Sequence, residues 1–101
     1  MTENTKAREQ IDQIDQELTI LFEQRMQLSK QIATEKFASK KPVSDRQREE
    51  EVIKTELDRL HDQELKPYLK DFYRDLFLIS KQYQANLIKG WRDLEEKNKK
   101  I

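Results

Sequence analysis

Between Arg8 and Lys36 the chain reads REQIDQIDQELTILFEQRMQLSKQIATEK, without a Gly or a Pro. Apolar residues recur in it at Ile11, Ile14, Leu18, Leu21, Leu28 and Ile32. Steps that alternate between three and four residues line one face of an α-helix. The stripe has gaps. Arg25 stands where the apolar residue between Leu21 and Leu28 is due, and continuing the stripe outward reaches Arg8 at one end and Lys36 at the other. Three cations therefore lie on or beside the face that such a helix buries. A cation taken out of water without a partner is costly. An anion is expected to meet them, either a carboxylate of the protein or a ligand.

The first helix is expected from Thr5 or Lys6 to about Phe37, after a frayed start over residues 1–5. Its length is roughly 45–50 Å at 1.5 Å per residue, too long for a compact globule of this size unless another helix lies alongside. The segment ASKKPVSD breaks the pattern: Pro42 biases Lys41 away from helix. Ser44 is a good N-cap, with Gln47 three residues on completing a capping box. A second helix covers about Asp45 to His61, with Val52, Ile53, Leu57 and Leu60 on its apolar face. After the connection DQELKP, Pro67 suits the first turn of a third helix, from about Pro67 to Lys89. The stripe of that helix is Leu69, Tyr73, Leu76, Ser80, Tyr83 and Leu87, flanked by Phe72, Ile79 and Ile88. Ser80 is again a polar residue at a stripe position, with Gln84 one turn further on. Gly90 either caps this helix or is passed through; Trp91 and Leu94 continue the stripe and favour a fraying extension over residues 90–101. The expectation is an all-α fold with three helices per chain, and a single domain over residues 1–101.

Charged residues make up 40% of the chain and hydrophobic ones 35%. Low apolar content accompanies disorder, but the strict periodicity argues for helices with thin core stripes. Such stripes bury too little surface for a comfortable monomer, so an oligomer is expected. Lys plus Arg balance Asp plus Glu, which argues against a nucleic-acid binder dominated by phosphate contacts and leaves room for a local cationic pocket. There is no Cys, and His61 is the only His. Thiolate chemistry and the usual zinc sets are therefore not expected, nor is any cofactor. The polar start MTENTKAREQ does not read as a signal peptide and no apolar run is long enough to span a bilayer, so the default location is the cytoplasm.

Each polar residue alone has a bland explanation. An Arg in an apolar stripe often snorkels to water, and a Ser in a helix often bonds its own backbone. Together they are harder to dismiss. Arg25 and Lys36 return to nearly the same helical angle, roughly 16 Å apart, which leaves room for a small dianion between two long side chains. Arg8 lies roughly 25 Å from Arg25 and reaches that ligand only from a second copy packed antiparallel about a two-fold axis. The pattern thus suggests two equivalent sites, each built from both chains. Ser80 and Gln84 add neutral hydrogen bonds, and Asp45, Arg48 and Glu49 a mixed-charge patch.

AREQIDQIDQEL, the spacing of Arg25 and Lys36, PVSDRQRE, and Ser80 followed by Gln84 resemble the all-helical chorismate mutases, over about residues 7 to 87. The resemblance implies an intertwined helical homodimer in which the long first helices pair. It implies an isomerase that rearranges chorismate to prephenate, a step of phenylalanine and tyrosine biosynthesis. Carried over position by position, it implies that Arg25 and the partner's Arg8 bind the two carboxylates of chorismate. Lys36 binds a carboxylate and the ether oxygen, Gln84 bonds that oxygen, and Glu49 takes the substrate hydroxyl. Ser80, Asp45 and Arg48 support the pocket. Ala7 stands where Leu is common in the family, the loop from Ser39 to Lys41 is unusually basic, and the segment after Leu87 has no clear counterpart.

Two other readings follow from the same residues. Some relatives on this fold remove pyruvate from isochorismate, where a Lys before the second helix matters; Lys40 or Lys41 keeps that reading open. The other is a helical dimerisation module without catalysis, in which Arg8, Arg25, Lys36 and Gln84 tolerate substitution and the stripe does not.

Overall fold

The computed structural model describes residues 2–99, with side chains from Thr5 onward; Met1, Lys100 and Ile101 lie outside the described residues, and the frayed start expected over residues 1–5 is not seen, since the first helix is already formed at Thr2. Three α-helices account for almost all of it: α1 (Thr2–Ser39), α2 (Arg46–Arg59) and α3 (Lys66–Lys99), with a short 3₁₀ turn at Gln63–Leu65. There is no strand among the described residues, and none of their helices is long and apolar enough to cross a membrane. α1 packs on α3, and α2 packs on α3. Arg25 meets Phe77, Ser29 meets Ser80, and Phe37 meets Trp91. Both numbers rise together, so α1 and α3 run parallel and α2 is the return stroke between them.

Each helix ends for a local reason. α1 stops at Ser39, where Lys40 turns into the left-handed region at φ 57°. The Lys41 N–H then donates to the Lys36 carbonyl at 2.9 Å and the Lys40 N–H to the Phe37 carbonyl at 3.3 Å. These are the two bonds of a Schellman cap, here with a lysine where glycine is usual, and Pro42 follows to prevent continuation. α2 is capped by Asp45, whose Oδ1 accepts from the Arg48 N–H at 3.1 Å. The sequence pointed one residue earlier, to Ser44. The aspartate wins because a carboxylate is both a good acceptor and favoured at the positive end of the helix dipole. α3 runs straight through Gly90 to Lys99. The glycine is conformationally idle there: a Cβ would meet nothing within 4 Å.

The molecule measures 65 × 29 × 15 Å. Its shortest dimension is little more than one helix diameter, so the three helices form a thin layer. Among the described residues, the buried hydrophobic side chains are Ala33, Phe77 and Ile88. The face of α1 against α3 is the one carrying Ser29 and Ala33. The apolar stripe read from the sequence lies round the helix from it and is uncovered in the single chain: Ile11, Ile14, Leu18, Leu21, Leu28 and Ile32 are between 44% and 58% exposed. On α3 the buried line runs through Phe77, Ser80, Gln84 and Ile88, while Leu69, Tyr73, Leu76, Tyr83 and Leu87 are half-buried beside it. The expected stripe is thus present on α3 but centred to one side. Tyr73 stacks edge-on with Phe72 and tilts against Phe77. Burial pushes its phenol pKa up, and Glu56 adds to the rise, so the hydroxyl stays protonated at neutral pH.

Candidate active site

Where α1, α2 and α3 meet, they enclose an open cavity of ≈ 390 Å³. Its lining includes Arg25 and Lys36 from α1, Asp45, Arg48 and Glu49 from the start of α2, and Ser80 and Gln84 from α3. All the site residues expected from the sequence are thereby brought together except Arg8, which is exposed on the free N-terminal part of α1. Lys40 and Lys41 also lie outside the lining.

The charges in this cavity are arranged unevenly. Its carboxylates are both engaged within the chain. Asp45 caps α2, and Glu49 forms an ion pair with Lys81 at 3.1 Å. Two of its cations are held by neutral groups instead. The Arg25 guanidinium lies over the Phe77 ring, 5.9 Å from the centroid. The Lys36 ammonium donates to the Val43 carbonyl at 2.8 Å. A ring face or a carbonyl orients a cation without cancelling its charge. Among the described residues no carboxylate forms an ion pair with Arg25, Lys36 or Arg48. The site therefore offers fixed positive charge to an anion from outside.

A buried polar cluster lies at the seam of α1 and α3. The Ser29 and Ser80 hydroxyls share a hydrogen bond at 2.6 Å, and Gln84 Nε2 donates to Ser29 Oγ at 2.8 Å. All three side chains are buried. Gln84 Oε1 is buried without a partner. A half-turn of the amide exchanges its oxygen and nitrogen; Ser29 then donates to Oε1 and the NH₂ is left without a protein partner. The carboxamide can thus turn either its oxygen or its NH₂ away from Ser29.

Sequence reasoning did not single out Ser29 or Lys81. Ser29 carried a signal: it follows Arg25 by four residues and so shares its face of α1. Replacing Ser29 with alanine removes the side-chain partner of both Gln84 and Ser80. The expected cost is about 1–3 kcal/mol for a buried polar group left unsatisfied, measured by urea unfolding at fixed chain concentration.

A layer of helices thus holds a cavity whose lining includes cations that no carboxylate cancels and the polar side chains of Ser29, Ser80 and Gln84. Residues 7–85 match the family model described as chorismate mutase type II, and the chain belongs to that family. Comparison with curated proteins and with solved structures gives no match.

Proposed function

We propose that this protein is a chorismate mutase, rearranging chorismate to prephenate in the cytoplasm for phenylalanine and tyrosine synthesis. The observation that carries the reading is the cavity that brings Arg25 and Lys36, whose charges no carboxylate cancels, together with Ser80 and Gln84. The reaction is an intramolecular [3,3] shift: one C–O bond breaks and one C–C bond forms, with no net gain or loss of atoms. It calls for no nucleophile. What it needs is a folded reactive conformer and a response to the negative charge that develops on the ether oxygen.

In this reading Arg25 grips one carboxylate through its planar fork, and the partner subunit's Arg8 grips the other. Lys36 reaches from a carboxylate to the ether oxygen, and Gln84 donates its freed NH₂ to that oxygen. Glu49 accepts the ring hydroxyl's proton in a hydrogen bond. Ser80 holds the Gln84 cluster, while Asp45 and Arg48 fix the first turn of α2.

The homodimer belongs to the same proposal. The uncovered stripe of α1 adjoins an apolar groove of ≈ 460 Å³ between α1 and α3, lined by Leu18, Leu21, Phe22, Phe72, Leu76 and Ile79. A contiguous apolar face of this kind calls for a covering partner. The α1 helix of a second copy, crossing antiparallel, fits it and carries Arg8 to the far cavity.

Substituting Gln84 with glutamate tests the ether-oxygen contact. An ionised carboxylate repels the developing charge and only its protonated form donates. The variant's kcat/KM for chorismate is expected to rise as pH falls, and the wild type's is not. Parallel profiles, with circular dichroism showing intact helices at each pH, would reduce Gln84 to a packing residue.

A further inference from the structure

Lys81 stands beside Ser80 on α3 and lines the same cavity, yet it adds little to the charge offered to a ligand. Its ammonium is 3.1 Å from one oxygen of Glu49 and 3.4 Å from the other. Both side chains are largely shielded, at 31% and 23% exposure. We propose that Lys81 is a positioning residue: it holds the Glu49 carboxylate against the α3 wall, where that carboxylate accepts a ligand hydroxyl. It thereby sets the preference for hydroxyl-bearing ligands.

Charged side chains compete for one another inside the cavity. Glu49 sits in the first turn of α2 and has several rotatable bonds. It shares the cavity with Arg25, Lys36 and Arg48. Left untethered, its carboxylate is drawn to one of those cations and cancels charge that a dianion needs. Asp45 is removed from that competition by capping α2. Lys81 does the same for Glu49, from the opposite helix. An ionised carboxylate has about four acceptor positions, so a Lys on one side leaves others open toward the ligand. Hence Lys81 both keeps the cationic side uncancelled and leaves Glu49 aimed.

The role rests on the reaction proposed above, and its test separates the two. kcat/KM is measured for chorismate and for its analogue with hydrogen in place of the ring hydroxyl. Wild type, Lys81→Met and Lys81→Arg are compared, with circular dichroism and sedimentation for each. Lys81→Met is expected to lose roughly thirtyfold on chorismate, mainly in KM, and about threefold on the analogue: the loss shared by both is the charge that Glu49 cancels, and the excess on chorismate is one charge-assisted hydrogen bond. Lys81→Arg is expected to stay within about threefold of wild type on both, because its guanidinium still pairs with Glu49. Equal losses on the two substrates would make Lys81 a strap between α2 and α3 and overturn the proposal, as would no loss on either. A wild type that leaves chorismate unchanged overturns the reaction itself, and the Lys81 role falls with it. Wild-type turnover with equal losses overturns the Lys81 role alone.

Discussion

Lys36→Met is expected to lower kcat/KM for chorismate by roughly 10³-fold or more. Two losses add. Removing one preorganised donor from a developing oxyanion costs about 10²–10³ in rate. The same side chain is also assigned a carboxylate, and a hydrogen bond between charged groups contributes about 1.5–3 kcal/mol. Methionine keeps the length and most of the apolar stem of lysine, so the packing at the end of α1 changes little. The structure limits the collateral damage as well. Lys36 donates only to the carbonyl of Val43, a half-buried residue in an otherwise exposed loop that water reaches. Stability is therefore expected to stay within about 1 kcal/mol of wild type. Steady-state kinetics together with urea unfolding check both parts. A loss in activity matched by a loss in fold would remove Lys36 from the chemistry.

The second large effect concerns the shared site. Arg8→Ala and Arg25→Ala chains are each expected to be nearly inactive alone, because every site in either homodimer lacks one carboxylate clamp. Mixed in equal amounts and refolded together, they are expected to recover about a quarter of wild-type activity. Half of the dimers are then mixed, and each mixed dimer has one site with both lesions and one with neither. Sedimentation of every species is expected to give twice the chain mass of 12.3 kDa. Proven subunit exchange without recovery would mean that Arg8 does not act across the interface. A stable, active monomer would remove both the dimer and the shared site.

The helices were legible in the sequence because their period is carried by strong apolar side chains and few breakers. The site residues were legible for a related reason: polar residues at stripe positions announce themselves against that period. Arg25, Lys36 and Ser80 were found in this way and Gln84 as the residue one turn after Ser80, and the structure gathers all four around one cavity. What periodicity does not reveal is which neighbour covers a face. The Ile11 to Ile32 stripe marks an apolar face correctly, yet within one chain α1 turns Ser29 and Ala33 toward α3 instead. Small residues at that seam let the helices approach, and a stripe search for large apolar residues passes over them. Phe77 was missed because it lies one position from Leu76 and the stripe was centred on the latter. Lys81 was missed because its meaning depends on α2, whose position on α3 is a tertiary fact.

The most direct measurement is to supply chorismate to the purified protein and follow its absorbance, with the product identified by NMR and isochorismate supplied in a parallel reaction. Catalytic loss of chorismate and appearance of prephenate are expected, with no pyruvate released from either substrate beyond the uncatalysed background. Chorismate left unchanged by the folded protein, or pyruvate released from isochorismate while chorismate persists, would contradict the proposed reaction.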